Sequence, residues 1–174
     1  KTYAGGMSAM RPLAPLLLKY RERKGKEDAS RRSERLGQSS VERPPGKLVW
    51  VHAASVGETN VSLPLIERML KDDPHLNVLL TTGTITSASL AARRLPQRAI
   101  HQYVPLDSPS YVGRFLDHWK PDLGLFIESE IWPNLILAAS TRSIPLALIN
   151  ARMSPRSMKR WRQNAKLGRQ LFSH

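Results

Sequence analysis

The chain has 174 residues, 27 Lys and Arg against 14 Asp and Glu for a formal net charge of +13, 41% hydrophobic residues and no cysteine. That length supports one sizeable core, and the missing cysteines exclude disulfides and thiolate metal sites and fit a reducing compartment. No run of about 18 apolar residues occurs, which excludes a conventional membrane-spanning helix.

In chain order, the first apolar stretch is MSAMRPLAPLLLKY (7–20), interrupted by Arg11, Pro12 and Pro15. It lacks the basic–apolar–small order of a signal peptide. It is expected to lie on a surface or to pack, as the tail end of an anchor. Because residue 1 is Lys, a native start upstream is also expected. Residues 21–47 are polar, highly charged and end in Pro-Pro-Gly, which predicts a short basic helix followed by a linker.

From Leu48 the texture changes. KLVWVHA, NVLLTT, AIHQYVP, DLGLFIE and IPLALIN read as five strands, each followed by a helix-like block. The first block, 58–73, has helical spacing in Val61, Leu65, Ile66, Met69 and Leu70. Pro64 inside it demands a kink or a late start. Ser108 is the expected cap of a helix with Pro109 at its first position, and Ser154 the cap of a final helix over 154–172. Strands of nearly continuous apolar character alternating with helices predict a parallel sheet covered on both faces. The expected fold is a Rossmann-like α/β sandwich over 48–174, preceded by a basic segment and linker over 1–47.

Charge follows these divisions. Residues 1–47 carry twelve Lys/Arg and five Asp/Glu, residues 48–150 eight and nine, and residues 151–174 seven and none. The middle is near neutral and both ends are basic. Such ends attract nucleic acid, anionic lipid headgroups or a phosphorylated ligand; ordinary solvated charge is the plain alternative.

In such a sheet, ligands bind at the carboxyl ends of the strands, near the reversal of strand order. The candidates are therefore His52–Glu58, Thr81–Thr86, Pro105–Ser108, Glu128–Pro133 and Asn150–Ser154. HAASVGET holds one glycine and no Walker lysine, so nicotinamide and nucleoside-triphosphate fingerprints are missing. Its small residues, Ser55 and Gly57 among them, let a ligand approach the backbone. Glu58 is either a first-turn carboxylate complementing the helix dipole or a working acid. Thr82, Gly83 and Thr84 present hydroxyls and amides at the next strand end, suited to phosphate or sugar oxygens; capping alone would also explain Thr84. Glu128 and Glu130, two apart at a strand end, would point the same way on an extended backbone. Two buried carboxylates need hydrogen bonds or a cation. Asn150 and Arg152 follow the fifth strand, and Arg suits a bidentate grip on carboxylate or phosphate. The five His residues lack metal-ligand spacing, and His52 reads as a packed strand-end residue rather than a ligand.

WVHAASVGET, LTTGTITSA, HQYVPLD, RFLDHWKPDL, ESEIWPN and INARMSPRS, in this order, resemble the amino-terminal domain of bacterial 3-deoxy-D-manno-octulosonic acid (Kdo) transferases. GKEDASRRSERLG resembles the stretch after that family's membrane anchor. The resemblance implies the acceptor-binding half of a GT-B glycosyltransferase, which moves Kdo from CMP-Kdo to a lipid A precursor with inversion and without a bound metal or other cofactor. It implies Glu58 as catalytic base, with Glu128 and Glu130 shaping the acceptor side. It further implies a carboxyl-terminal donor domain beyond residue 174, and a fragment inactive by itself. The implied partners are the two substrates and an anionic membrane surface, at the cytoplasmic face of the bacterial inner membrane, with no nucleic acid. A basic nucleic-acid-binding module, with steeply salt-dependent binding, and a GT-B enzyme for another acceptor are the competing expectations.

Overall fold

A computed structural model describes residues 5, 11–128 and 131–151. Helix α1 spans Ala14–Arg23 and a short helix α2 spans Arg32–Arg35. The α/β part follows as β1 (Leu48–His52), α3 (Val56–Asp72), β2 (Asn77–Thr82), α4 (Ile85–Arg94), β3 (Ala99–Tyr103), α5 (Pro109–Trp119), β4 (Leu123–Ile127), α6 (Pro133–Ser140) and β5 (Leu146–Ile149). All pairings are parallel, and the strand order is β3-β2-β1-β4-β5. This is the Rossmann-like fold that the alternating pattern predicts.

The side-chain alternation of β1 shows why its run is apolar throughout. Leu48 and Trp50 join Leu79 and Phe126 in a core with Phe115 and Trp119 of α5 and Leu135 of α6. Val49 and Val51 join Val78 and Leu80 in a second core with Ile66 and Leu70 of α3 and Ala91 of α4. Each face has its own helical layer. Trp50 anchors the first core, edge-on to Phe126 with centroids 5.0 Å apart and its indole N–H donating to Thr81 Oγ1 at 2.8 Å.

Helix α3 starts at Val56 and runs through Pro64, so a late start does not occur. Pro64 lies on the exposed face, where the carbonyl of exposed Asn60, deprived of its i+4 donor, meets water. Ser108 occupies the expected cap position of α5 before Pro109, but its hydroxyl makes no capping bond. The helix expected over 154–172 lies outside the described residues.

The polar stretch 21–47 packs more closely than its composition suggests. Glu27, Glu34 and Arg35 are buried at 6%, 6% and 4% exposure. Glu34 Oε2 accepts the Tyr103 amide at the end of β3 (2.7 Å), and the Leu106 amide donates to the Arg35 carbonyl (2.9 Å). Gly37 sits so close to α5 that a Cβ would fall 2.0 Å from the Tyr111 carbonyl oxygen. Opposite charges at short range allow these groups to be buried together. Among the described residues no helix is long and apolar enough to cross a membrane.

Candidate active site

Strand β1 lies between β2 and β4, so the chain winds outward in both directions from the β1/β4 junction. At the carboxyl ends of these two strands the connections diverge and leave a crevice. Glu58 stands there. Ser55 caps α3, its hydroxyl accepting from the Glu58 amide at 3.3 Å. The Glu58 carboxylate folds back, Oε2 accepting from the Ala54 amide (2.8 Å) and Oε1 from Ser55 Oγ (2.7 Å). S-x-x-E is thus a variant of the capping box, reaching one residue farther back than usual. The mundane role foreseen for Glu58 is therefore real. With 9% exposure, the carboxylate is held by one donor on each oxygen. Each oxygen keeps acceptor capacity for a further proton donor.

The neighbouring loop is fitted against this one. The Gly83 amide donates to the Ala54 carbonyl at 3.0 Å, and a Cβ on Gly83 would lie 2.9 Å from that oxygen. Only glycine allows the two loops to approach so closely. Thr84 caps α4 by accepting from the Ser87 amide (3.1 Å), as capping alone required. Thr82 is fully buried, its hydroxyl 2.9 Å from His101 Nε2. Gly57 is exposed, and an added Cβ would meet only Ser55 Oγ at 3.8 Å, an ordinary contact. Among the described residues no neighbour requires glycine there.

Glu128 follows β4 with φ 61° and Asn150 follows β5 with φ 53°. Asn tolerates this left-handed region; Glu does so at a cost. The Glu128 amide donates to the Ile149 carbonyl at 2.8 Å. Glu128 is not extended, so the alternation of β4 ends before it. The reason is local: the chain turns out of the sheet one residue before Ser129. Glu130 and Arg152 lie outside the described residues. Lys120 and Ser143, before β4 and β5, also have positive φ (40° and 55°), so this backbone conformation occurs at both ends of the two strands.

Asp107 lies within the candidate stretch Pro105–Ser108, with no role assigned to it from the sequence. Buried at 2% exposure, it accepts from the Leu135 amide at Oδ1 (2.9 Å) and the Asn134 amide at Oδ2 (3.2 Å). It caps α6 from another loop, a task the Trp132 side chain does not perform. An Asp after the third strand was the available signal, but its partners are 27 and 28 residues away. His52 is packed, as expected: fully buried, Nδ1 3.0 Å from Thr81 Oγ1, its ring edge-on to Phe126.

His101 takes a defined tautomer. Arg31 Nη1 lies 3.0 Å from its Nδ1 and can only donate, so Nδ1 accepts and Nε2–H faces Thr82. Burial, with the charges of Arg31 and Arg35, lowers its pKa from 6.5 to about 3. Among the described residues no group of three His, Asp or Glu is arranged to hold a metal ion.

A family profile described as 3-Deoxy-D-manno-octulosonic-acid transferase (kdotransferase) matches residues 30–174. The chain belongs to this family. A probable mitochondrial 3-deoxy-D-manno-octulosonic acid transferase of Arabidopsis thaliana is 45% identical over 150 residues, 86% of this chain and 34% of that protein. The 3-deoxy-D-manno-octulosonic acid transferases of Rickettsia bellii and Bordetella pertussis are 42% and 35% identical, over 80% and 87% of this chain and 33% and 37% of theirs. The chain spans about a third of the length of these relatives. The family resemblance read from the loop motifs is thereby borne out, and WVHAASVGET, LTTGTITSA and HQYVPLD fall on the carboxyl ends of β1, β2 and β3.

Proposed function

We propose that the chain forms the acceptor-binding, amino-terminal half of a GT-B glycosyltransferase that moves Kdo from CMP-Kdo to a lipid A precursor with inversion. The observation that carries this reading is the Glu58 carboxylate at the β1/β4 crevice, oriented by the Ala54 amide and Ser55 hydroxyl. A sugar hydroxyl is a weak nucleophile near neutral pH, so a positioned base must take its proton as attack proceeds. The acceptor oxygen forms its bond to the anomeric carbon of Kdo, the bond to the CMP phosphate breaks, and CMP departs with the electron pair. Glu58 receives the hydroxyl proton. Charge at the anomeric carbon is oxocarbenium-like by analogy with glycosidases, and the donor half supplies the groups that accept the departing phosphate. No metal or other cofactor is assigned a role.

Ser55 orients Glu58, Gly57 leaves room beside it, and the Thr82–Gly83–Thr84 turn supports the loop from behind. Glu128, Glu130, Asn150 and Arg152 would form the acceptor wall. The basic amino-terminal segment meets an anionic membrane. In α1, Leu16, Leu17 and Tyr20 are exposed at 65%, 47% and 60%, interleaved with Lys19, Arg21 and Arg23. Such a helix suits the headgroup boundary, with basic side chains on the phosphates. This reading expects action at the cytoplasmic face of the membrane and no nucleic-acid partner.

The test is Glu58→Gln in the full-length enzyme. Gln keeps the shape and the cap acceptor and removes the base. Transfer should fall ~10²–10⁴-fold with the unfolding transition unchanged. Near-full activity would return Glu58 to its capping role and move the search to Glu128 and Glu130.

A further inference from the structure

We propose that Arg35, in the basic segment before the sheet, is a positioning residue that holds the Glu58 loop in its catalytic geometry; this rests on the assignment of Glu58 above. Arg35 is 4% exposed, far from the solvated charge expected of a polar linker. Its Nε donates to Glu27 Oε1 (2.5 Å), Nη1 to the Val104 carbonyl (3.0 Å) and Nη2 to the Gly83 carbonyl (2.6 Å). The guanidinium carbon lies 4.7 Å from the centre of the Tyr103 ring.

One planar cation therefore ties three places together. From Gly83 the contacts run directly to the site. The Gly83 amide bonds the Ala54 carbonyl, and the Ala54 amide bonds Glu58 Oε2. Every link is a single hydrogen bond of 3.0 Å or less. At Gly83 a Cβ would fall 2.9 Å from the Ala54 carbonyl oxygen, so the two loops approach more closely than a residue with a side chain would allow. Arg is required because its fork spans two carbonyls and a carboxylate at once, which a lysine ammonium does not. Glu27 neutralises the buried cation and bonds Arg21 of α1 through its other oxygen at 2.9 Å. The segment thus connects the helix assigned to the membrane surface with the loop assigned to proton transfer.

The experiment compares four full-length enzymes: wild type, Arg35→Gln, Glu58→Gln and the double variant. For each, kcat, KM for both substrates and the unfolding midpoint are measured. A misplaced base costs roughly 10- to 100-fold, so Arg35→Gln should lower kcat by that factor with both KM values little changed. In the Glu58→Gln background the same substitution should have almost no further effect, because residues acting through one group are non-additive. Arg35→Lys should recover part of kcat. An Arg35→Gln enzyme at the wild-type rate beside an impaired Glu58→Gln enzyme would overturn the positioning role alone. So would an equal loss in both backgrounds. A fully active Glu58→Gln enzyme would overturn the base assignment and the positioning role with it. If Arg35→Gln does not fold, Arg35→Lys decides: a folded enzyme with lowered kcat and unchanged KM supports the role, and the wild-type rate overturns it.

Discussion

At the amino-terminal ends of the strands arginines close helix ends on their carbonyls, whereas at the carboxyl-terminal ends hydroxyls and carboxylates hold the amides that open the helices, with Arg35 an added cation on the Val104 and Gly83 carbonyls. Arg98 donates to the carbonyls of Asp73, Pro74 and Leu76 at 3.0, 2.9 and 3.0 Å and also to that of Leu70 in the last turn of α3. Arg43 donates to the Trp119 carbonyl at the end of α5 (2.7 Å), and Arg142 to that of Ala138 in α6 (3.1 Å). Opposite them stand Ser55, Glu58, Thr84 and Asp107, all bonded to amides in the first turns of helices or beside them. The difference follows from topology. In a parallel sheet with helical crossovers every helix runs back against the strands. One end collects orphan carbonyls and the other orphan amides. Cations complete the first end and anions and hydroxyls the second, so an acid for catalysis is built most readily where Glu58 stands.

Substitutions on both ends break this comparison in opposite ways. After Glu58, the largest effect is expected at Glu128. With φ 61°, Glu128→Gly relieves backbone strain, so stability should be unchanged or rise by about 1 kcal/mol. If Glu128 belongs to the proposed acceptor wall, transfer activity of the full-length enzyme should nevertheless drop, tenfold or more. Denaturant midpoints and initial rates measured together check it, and full activity would remove Glu128 from the wall. At the other end, Arg98→Ala should do the reverse. Freed carbonyls near exposed Arg98 regain water, so unfolding free energy should fall by only about 1 kcal/mol, with kcat unchanged.

A smaller effect sharpens the contrast by pH. Folded His101 has a pKa of about 3 against 6.5 unfolded, so the unfolded chain takes up its proton first. Its contribution is fully present above about 6.5 and is lost progressively as pH falls toward 3. Gln can accept from Arg31 and donate to Thr82. His101→Gln should therefore flatten the acid limb of stability between those values. An unaltered limb in equilibrium unfolding series would show that His101 does not titrate in this way.

Much of the fold was legible because apolar strand runs and their capped helices are local signals. The five strands, the start of α5 at Pro109 and the loops at the strand ends follow from composition and spacing. The acid pair was only half legible. Strand alternation assumes extended backbone, and Glu128 departs from it. Asp107 and Arg35 were hidden for a different reason. Their partners are amides and carbonyls far along the chain, for Arg35 the Gly83 carbonyl 48 residues on. Backbone groups leave no trace in residue identity.

By itself, then, the sequence determined the alternation of strands and helices, the S-x-x-E turn that places Glu58 and the family to which the chain belongs. These are written in side-chain type at short spacing, where hydrophobic period and capping chemistry act. The tertiary structure decided which charges are buried and what they hold. Only when β3 comes beside the 21–37 segment do Glu27, Glu34 and Arg35 lose water and become a clamp instead of a solvated basic stretch. Desolvation and distant backbone contacts exist only once the chain has folded.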